Sequence, residues 1–326
     1  MIYLTRVKQD IPQHGKGIRL AIYQGEGSIG TKKAVQSNIE KLEEVLKQAK
    51  KYNVQLISFP ELYLTGYALN PDLVKKLAED INGSSMRKIS EIARNSDMAI
   101  IFPYPEKDSS SREVHYYDSI AVINSDGSLL QNYRKTHLFG QAEKSNFSFG
   151  YTEIDKDQLF SVIKIVGFPV GILNCYEAEF PELSRIFALK GAKLIVIPTA
   201  ADYYYTLPDG KHTQMPYPDV TKNIIPSNAY INKIFIAYSN RCGYETVGKN
   251  SWQYRGNSII SSPNGDLLLV ARSEETLLIA DIIPNDFGPT HPEGDYLKDR
   301  RPELYYELIA KTVAFEGGYN YPDRST

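Results

Sequence analysis

Three reactive side chains stand at the ends of predicted β-strands that are far apart in the sequence. Glu61 follows the apolar run VQLISF and a proline, Lys135 ends the run LLQNYRK, and Cys175 ends the apolar run FPVGILNC. Ligands of open α/β folds bind at strand ends, so the fold can bring such residues together. A thiol nucleophile, a carboxylate base and a cation for a developing negative oxygen are the minimum set for acyl transfer. The three residues therefore predict acyl-transfer chemistry.

Each of these residues also has a purely structural interpretation. Free cysteines are often small buried hydrophobic residues, and lysines at strand ends are usually solvated. Glu61, and Glu143 eight residues after Lys135, could equally be plain loop or helix-start charges. Cys175 stands apart because the acidic run YEAEFPE follows it and leads into a predicted helix. Amides at a helix N-terminus favour a thiolate and can donate hydrogen bonds to an oxyanion, a role predicted for the amide of Tyr176.

The elements that must position these residues follow the same order in both halves of the chain. Each half is predicted to run strand, helix, strand, helix, strand and hairpin, with the hairpins centred on SDGS and PNGD. The predicted strands and helices cover 17–24, 31–52, 54–59, 85–95 and 99–105, and then 168–175, 181–192, 192–198, 219–232 and 233–240. This order predicts two packed sheets with helices on their outer faces, which is a four-layer α-β-β-α sandwich of the α/β class.

The domain organisation is predicted to be simple. No low-complexity linker separates the two halves, so we predict one domain over residues 1–326. A C-terminal extension from about residue 284 is expected to carry one more helix, at 303–313, before a polar end.

The composition is that of an ordinary globular protein and gives no reason to expect nucleic acid or a membrane as partner. Lys and Arg number 37 against 39 Asp and Glu, which gives a net charge of −2. The N-terminal segment lacks the apolar core of a signal peptide, and the longest apolar stretch, VIKIVGFPVGILNCY, is too short to span a bilayer. Two cysteines are too few for a disulfide scaffold, so we expect a cytoplasmic protein with free thiols.

One other motif points to a different class of function. The segment GEGSIG places Gly25, Gly27 and Gly30 between a predicted strand and a predicted helix, as in a dinucleotide-binding site. That fingerprint requires an acidic residue about 20 positions further on. The first acidic residue after the second strand is Glu61, 36 positions after Gly25, so a flexible connector is favoured and a nucleotide-binding module is the alternative. The five histidines form no pair at ligand spacing, and neither a metal nor a cofactor is expected.

The segments FPELYLTGY, YRKTHLFG and GILNCYEAEFPELSR resemble, in order and spacing, the Glu, Lys and Cys signatures of the nitrilase superfamily of carbon–nitrogen hydrolases. The later segments IAYSNRCG, GNSIISSPNG and RRPELYYEL are similar to further landmarks of that superfamily, so the resemblance covers nearly the whole chain. It implies the α-β-β-α sandwich and a thiol mechanism that needs no cofactor. By resemblance Glu61 is the general base, Lys135 stabilises the tetrahedral intermediate, Cys175 is the nucleophile and Glu143 positions the substrate.

Within the superfamily, the residues after the cysteine resemble those of amidases. Amidases have Cys-Tyr-Asp or Cys-Tyr-Glu and then Phe-Pro-Glu, as in NCYEAEFPE here. The resemblance implies hydrolysis of a small-molecule amide to a carboxylic acid and ammonia. A nitrilase or an N-carbamoyl amidohydrolase with the same three residues is the alternative. The sequence departs from the pattern at Asn228 and Ile231, where many members have Arg and Glu, and this difference concerns local packing more than catalysis.

The pocket and the assembly are the least constrained features. Thr199 and Tyr203 follow the strand AKLIVIP and, with Tyr176, are expected to contact the substrate. The tyrosines at 203–205 could line the pocket or pack on a partner subunit, since tyrosine is favoured in both settings. The resemblance also implies a homodimer or higher homo-oligomer, because members of the superfamily pair through the helix after the cysteine and through the C-terminal tail.

Overall fold

The computed structural model describes residues 1–150, 159–206, 212–247, 250–289 and 291–309, and it describes the side chains of all of these except 205, 206, 212 and 250. The α-helices are α1 (Lys32–Lys50), α2 (Pro71–Leu77), α3 (Ser84–Ser96), α4 (Gly140–Asn146), α5 (Pro181–Leu189) and α6 (Val220–Asn232). The strands of the first half are β1 (Ile2–Arg6), β2 (Ile18–Gln24), β3 (Leu56–Ser58), β4 (Ala99–Asp108), β5 (His115–Ile123) and β6 (Leu129–Arg134). Those of the second half are β7 (Ile163–Ile165), β8 (Phe168–Ile172), β9 (Leu194–Pro198), β10 (Tyr204–Thr206), β11 (His212–Pro216), β12 (Phe235–Ser239), β13 (Tyr244–Val247), β14 (Asn250–Gln253), β15 (Ile259–Ser261), β16 (Leu267–Val270) and β17 (Thr276–Ile282).

Two large mixed sheets form the centre of the molecule. The first has the order β1-β17-β2-β3-β4-β5-β6 and the second has the order β16-β15-β12-β9-β8-β7. The strands β2, β3 and β4 run parallel to one another, as do β8, β9 and β12. The chain segments that leave the carboxyl ends of β3 and β8 carry Glu61 and Cys175, so both sheets deliver a predicted site residue at a strand end.

The alternation of side chains along β2 shows how the layers pack. Leu20 and Ile22 belong to the apolar core that also contains Ile172 of the second sheet. Ala21, which points to the opposite face, belongs to a second core with Leu42 of α1. The first sheet therefore has the second sheet on one face and helices on the other, which confirms the predicted four-layer sandwich.

Helix α1 shows why the outer layer forms where the sequence predicts it. Thr31 accepts a hydrogen bond from the backbone N–H of Ala34 at 3.0 Å and so caps the first turn. Ile39, Leu42 and Leu46 recur at the helical period and are buried. Burial of this stripe against the sheet, rather than helix propensity alone, fixes α1 on the outer face.

The predicted helix at 303–313 is wrong over its described part. The structure has two short 3₁₀ turns instead, Pro302–Leu304 and Tyr306–Ile309, and residues 310–313 lie outside the described residues. The side chains of Leu304, Leu308 and Ile309 are exposed. Without burial of an apolar stripe, so short a helix is marginal in water.

The chain divides into two compact units, Met1–Thr290 and His291–Thr326. The first contains both sheets and all six described α-helices. The prediction of one domain over residues 1–326, with an extension from about 284, stays a prediction. Among the described residues, no helix has both the length and the apolar character that a membrane crossing requires.

Candidate active site

A buried ammonium group surrounded by carboxylates lies between the strand ends. Lys135 Nζ is 2.5 Å from Glu61 Oε1, 2.9 Å from each carboxylate oxygen of Glu143 and 3.6 Å from Asp118 Oδ2. All four residues are buried. Burial alone would lower the pKa of Lys135, but the charges of Glu143 and Glu61 raise it well above its ordinary value. Lys135 is therefore a cation throughout the neutral pH range.

Backbone contacts between segments hold Glu61 and Lys135 at this point. The N–H of Glu61 donates to the carbonyl of Thr199 at 3.3 Å, which ties the end of β3 to the end of β9 in the other sheet. The carbonyl of Glu61 accepts from Arg241 Nη2 at 2.9 Å. The N–H of Lys135 donates to the carbonyl of Asp118 at 2.9 Å. Both side chains thus start from backbone that neighbouring segments fix, which limits their freedom in the site.

Glu143 is held just as firmly. The hydroxyl of Tyr67 donates to Glu143 Oε1 at 2.6 Å, and the backbone N–H of Phe139 donates to Oε2 at 2.7 Å. Burial raises the pKa of Glu143 above its ordinary value, against the opposing effect of Lys135. Glu143 lies in the first turn of the short helix α4, eight residues after Lys135, and its carboxylate contacts the ammonium group from there.

Cys175 lies beyond the strand that was predicted to end on it. Strand β8 ends at Ile172, and Cys175 begins a short 3₁₀ helix, Cys175–Glu179, in a left-handed backbone conformation with φ of 49°. Such a conformation is strained for a residue with a Cβ and is typical of functional turns. Burial and the charge of Glu61 raise the pKa of the Cys175 thiol well above its ordinary value, while Lys135 opposes them. The thiol is therefore uncharged at neutral pH.

The turn at Cys175 is tied to the Lys135 segment by one buried carboxylate. Glu177 Oε2 accepts from the backbone N–H of Asn174 at 2.8 Å and from the hydroxyl of Tyr133 at 2.7 Å. Glu177 Oε1 accepts from the backbone N–H and the hydroxyl of Thr136 at 2.7 and 2.5 Å. Burial opposes ionisation, but the hydrogen bonds from these groups and from His137 lower the pKa of Glu177 below its ordinary value.

A cavity reaches the thiol of Cys175. The described residues that line it are Tyr67, Phe139, Cys175, Tyr176, Glu179, Ala200, Ala201, Asp202, Tyr217, Val220 and Tyr238. Tyr176 packs edge-on against Phe139, with ring centroids 5.1 Å apart. Most of the lining is thus aromatic or aliphatic, with a few polar groups, as in many small-molecule sites.

Thr199 and Tyr203 are not among the described residues that line this cavity. Thr199 is buried, and its hydroxyl donates to the carbonyl of Ile197 at 3.1 Å. Tyr203 packs against Tyr204 and lies under the guanidinium of Arg255, which is 4.9 Å from its ring centroid. The side chain at 205 lies outside the described ones. The substrate contacts predicted for Thr199 and Tyr203 stay predictions.

The carboxylates could in principle bind a metal ion, since oxygens of Glu61, Asp118 and Glu143 lie within 4.8 Å of one another. The Lys135 ammonium lies among these same oxygens and supplies the positive charge there. The site as built therefore fits a lysine cation.

The glycine-rich segment GEGSIG is used within the fold. The N–H of Gly30 donates to the carbonyl of Thr65 at 3.0 Å, and the N–H of Ser28 donates to Asn38 Oδ1 at 2.8 Å. A phosphate site needs such amides to be available to the ligand. These contacts support a structural connector over a nucleotide site.

A model of one protein family, carbon-nitrogen hydrolase, matches residues 19–292, which include Glu61, Lys135 and Cys175. The chain belongs to the carbon-nitrogen hydrolase family. Its curated relatives include a hydrolase encoded in the pqqF 5' region of Pseudomonas protegens, 35% identical over 84% of this chain and 87% of the relative. They also include an omega-amidase NIT2 from Bos taurus, 30% identical over 82% and 90%, and a citrullinase from Francisella tularensis, 31% identical over 84% and 93%.

The family assignment agrees with the fold. A variant of the amidase from Nesterenkonia sp. AN1, with acrylamide added at its active-site cysteine, aligns with a TM-score of 0.67 and 25% identity. The alignment covers 89% of this chain and 99% of that amidase. This protein is thus a hydrolase of non-peptide C–N bonds on the nitrilase fold, with amidases among its relatives, as the sequence motifs predicted.

Several residues of this hydrolase site were not identified in the sequence. Glu177 stands in the quoted run YEAEFPE and Tyr67 in FPELYLTGY, but no pattern marks either one as a hydrogen-bonding group. Asp118 and Asp202 carry no local signal, because each reaches the site through long-range packing. Asn228, one of the two departures from the superfamily pattern, donates to the carbonyl of Ala178 at 3.0 Å and so links α6 to the turn after Cys175.

Proposed function

We propose that this protein is an amidase that hydrolyses a small-molecule amide through an acyl intermediate on Cys175. The observation that carries the proposal is the placement of the Cys175 thiol in a cavity, within the electrostatic influence of the buried Glu61 and Lys135. A thiol, a carboxylate and an ammonium ion are the groups that acyl transfer requires. The names of the relatives support an amide substrate, because an omega-amidase and an (R)-stereoselective amidase from Pseudomonas are among them.

The first half of the reaction begins with an uncharged thiol. Glu61 accepts the thiol proton while the sulfur of Cys175 forms a bond with the substrate carbonyl carbon. The carbonyl oxygen becomes negative, and the Lys135 ammonium and the backbone amide of Tyr176 stabilise it. The C–N bond then breaks, the carbonyl re-forms as a thioester, and Glu61 gives its proton to the departing nitrogen, so that ammonia leaves.

The second half repeats these steps with water. Glu61 accepts a proton from the water molecule as its oxygen attacks the thioester carbon. The intermediate collapses with cleavage of the C–S bond, the acid is released, and the proton returns to the sulfur. One carboxylate thus acts as base and as acid in both halves, while Glu143 holds Lys135 and the substrate in position.

Histidine has no role in this mechanism. The ring of His137 packs against Phe180, with centroids 4.4 Å apart, and its side chain is 37% exposed. It is not among the described residues that line the cavity. The buried Glu61, next to a permanent cation, takes the place that histidine has in many thiol enzymes.

A carbamoyl substrate is the second candidate, and the similarity to a citrullinase favours it. The same Glu61, Lys135 and Cys175 could cleave a C–N bond of a ureido group, since the attack is again on a carbonyl carbon. Measuring ammonia release from amides, nitriles and carbamoyl amines distinguishes the alternatives.

The decisive test compares the two cysteines. Cys175→Ala should abolish ammonia release, and Cys242→Ala should keep most of it, because Cys242 is buried and does not line the cavity. Intact-mass measurement during turnover should show an acyl adduct on Cys175. An adduct on Cys242, or turnover by Cys175→Ala, would refute the proposal.

A further inference from the structure

The charged groups that line the cavity are all acidic. Among its described lining residues Glu179 and Asp202 are the only carboxyl side chains, and no lysine, arginine or histidine joins them. Neither carboxylate forms an ion pair with a described residue. In this partly desolvated space the ionised form of either group would repel a substrate carboxylate, whereas a substrate ammonium group would stabilise that ionised form.

Asp202 has an unused acceptor at this wall. Its Oδ1 is buried and has no hydrogen-bond partner, although the side chain stands beside the cavity that reaches Cys175. A buried carboxylate oxygen without a donor is unfavourable, so native proteins seldom keep one unless a ligand satisfies it. Burial and the charges of Glu245 and Glu61 raise the pKa of Asp202 to about 8, which again reflects the lack of a nearby cation.

Glu179 has only a weak partner of its own. The hydroxyl of Tyr217 donates to both of its carboxylate oxygens, at 3.3 Å each. Arg255, whose guanidinium lies over the ring of Tyr203, directs its Nη2 to the carbonyls of Tyr217 and Tyr203 rather than to a carboxylate. Glu179 therefore keeps most of its capacity to accept hydrogen bonds from a ligand.

The remaining lining also suits a cation. The rings of Tyr67, Phe139, Tyr176, Tyr217 and Tyr238 border the same cavity. The face of an aromatic ring attracts an ammonium ion, and the attraction is stronger where water is excluded. Carboxylates and aromatic rings together are the usual environment of a bound alkylammonium group.

We propose that the preferred substrate is an amide that also carries an ammonium group, which binds against Asp202 and Glu179 while the amide carbonyl lies at Cys175. This inference rests on the proposed amidase function and specifies its substrate class. Asp202 and Glu179 determine specificity here, and neither takes part in the chemical steps.

Three primary aliphatic amides of similar length provide the test. They are 4-aminobutanamide, its neutral counterpart pentanamide, and glutaramate, which has a carboxylate at the same end. A hydrogen bond to a charged group contributes about tenfold to a hundredfold in affinity. The wild-type kcat/KM for ammonia release should therefore be at least about tenfold higher for 4-aminobutanamide than for pentanamide, and glutaramate should be the poorest of the three.

Variants assign this preference to the two carboxylates. Asp202→Asn and Glu179→Gln should each lower the ratio of kcat/KM for 4-aminobutanamide to that for pentanamide by about tenfold. Glu182→Gln is the matched control, because Glu182 is an exposed acid on α5 and its removal changes the net charge equally. The control should keep the wild-type ratio. If Asp202→Asn does not fold, Glu179→Gln and the wild-type ratio decide the question.

Binding without turnover separates this inference from the proposed function. Calorimetry on the Cys175→Ala variant should show that 4-aminobutanamide binds at least about tenfold more tightly than pentanamide. If the wild type releases ammonia from none of the amides but this binding difference is found, the proposed function fails and the ammonium site stands. Equal binding, a wild-type preference for pentanamide or glutaramate, or an unchanged ratio in both variants would overturn the ammonium site.

Discussion

At the scale of single residues, the site balances one ammonium ion against three carboxyl groups. Lys135 is close enough to Glu61 and Glu143 for direct ion pairs, and Asp118 stands 3.6 Å away. A buried ion pair is favourable only when its geometry is good and its remaining hydrogen-bonding groups are satisfied. We therefore expect the arrangement to serve charge placement in the proposed reaction more than the stability of the fold.

The proposed base can be tested by one substitution with a control. Glu61→Gln keeps the shape of the side chain but cannot accept the thiol proton, so we expect ammonia release to fall by at least about 100-fold. His137→Ala should stay within about tenfold of the wild type, far less than the effect of losing an essential base. Circular dichroism should show that both variants are folded. If His137→Ala is inactive and Glu61→Gln is active, the base is misassigned.

Asp118 provides a prediction about pH and stability. Burial and the charge of Glu61 raise its pKa well above the ordinary value, so the folded state keeps a proton that the unfolded state has lost. Stability then falls as the pH rises from the unfolded pKa toward the folded one. Asp118→Asn removes this pH-dependent loss of stability. Its amide oxygen can still accept the hydrogen bond that Asn174 Nδ2 donates to Asp118 Oδ1 at 3.0 Å.

The variant should therefore gain stability relative to the wild type as the pH rises above about 4, by up to about 1.4 kcal/mol per pH unit. Urea unfolding of both proteins between pH 4.5 and pH 8 measures the difference. A difference that is constant over this range, or that shrinks as the pH rises, would show that Asp118 is ionised in the folded protein.

At the scale of elements, the turn at Cys175 depends on contacts with the segment that follows β6. Glu177 accepts hydrogen bonds from Asn174, Tyr133 and Thr136, and so joins the residue before Cys175 to the residue after Lys135. Glu177 therefore helps to fix the turn at Cys175 relative to the Lys135 segment, and we expect it to act as a positioning residue. Asn228 adds a further contact, from α6 to the carbonyl of Ala178.

Replacing Glu177 should separate positioning from binding. Glu177→Gln turns one of the two acceptor oxygens into a donor that faces other donors. We therefore expect the turn at Cys175 to shift and kcat to fall by more than tenfold, which is at the lower end of the effect of misplaced catalytic groups. KM should change much less, because Glu177 is not among the described residues that line the cavity. The pH profile of kcat should keep its shape. Equal changes in kcat and KM would argue for a direct role in binding.

The charge of Glu177 also affects stability with a defined sign. Hydrogen bonds lower its folded pKa, so its contribution is present above the unfolded pKa and is lost as the pH falls through the folded pKa. The wild type should therefore lose stability in acid that Glu177→Gln does not lose. Thermal unfolding of both proteins from pH 7 to pH 3 measures this difference as the slope of Tm against pH, which should be steeper for the wild type.

At the scale of the whole molecule, assembly is the main prediction. We expect a homodimer or a higher homo-oligomer that uses α5 and the residues from 303 onward. In the second unit the side chains of Leu304, Tyr306, Leu308 and Ile309 are exposed, the last by 85%. Exposed apolar side chains that are close together in the sequence mark interaction surfaces more often than isolated ones do.

Light scattering at micromolar concentration should give at least twice the 36.8 kDa mass of one chain. Replacing both Leu308 and Ile309 with Asp should weaken the assembly, because a charge in an apolar interface is not compensated. Lys298→Ala, an exposed change in the same unit, is the control. A monomeric wild type would refute the prediction, and a full-size assembly of the double variant would refute the role of the tail.

The sequence by itself determined the sandwich and most of the order of its elements, and it predicts which residues are reactive. Apolar periodicity and turn residues are local properties, so α1, most strands of the two large sheets and the hairpins at SDGS and PNGD could be predicted from short windows. The edge strands β1 and β7 were not predicted. Glu61, Lys135 and Cys175 are predicted to be reactive because each stands at the end of a predicted strand and because their motifs resemble one family. The prediction of a helix at 303–313 is wrong because it also rests on a local pattern. Such a pattern takes no account of whether the apolar side chains become buried.

Only the tertiary structure decided which groups surround those three residues. Asp118 reaches Asn174 across 56 residues of sequence, and Glu177 reaches Thr136 across 41. Contacts over such separations depend on how strands pair and how sheets pack, which no short pattern encodes. The left-handed conformation of Cys175 and the unpartnered oxygen of Asp202 likewise follow from long-range packing. The sequence therefore specified the class of this hydrolase, while its tertiary structure specified the electrostatics of the pocket that we propose selects the substrate.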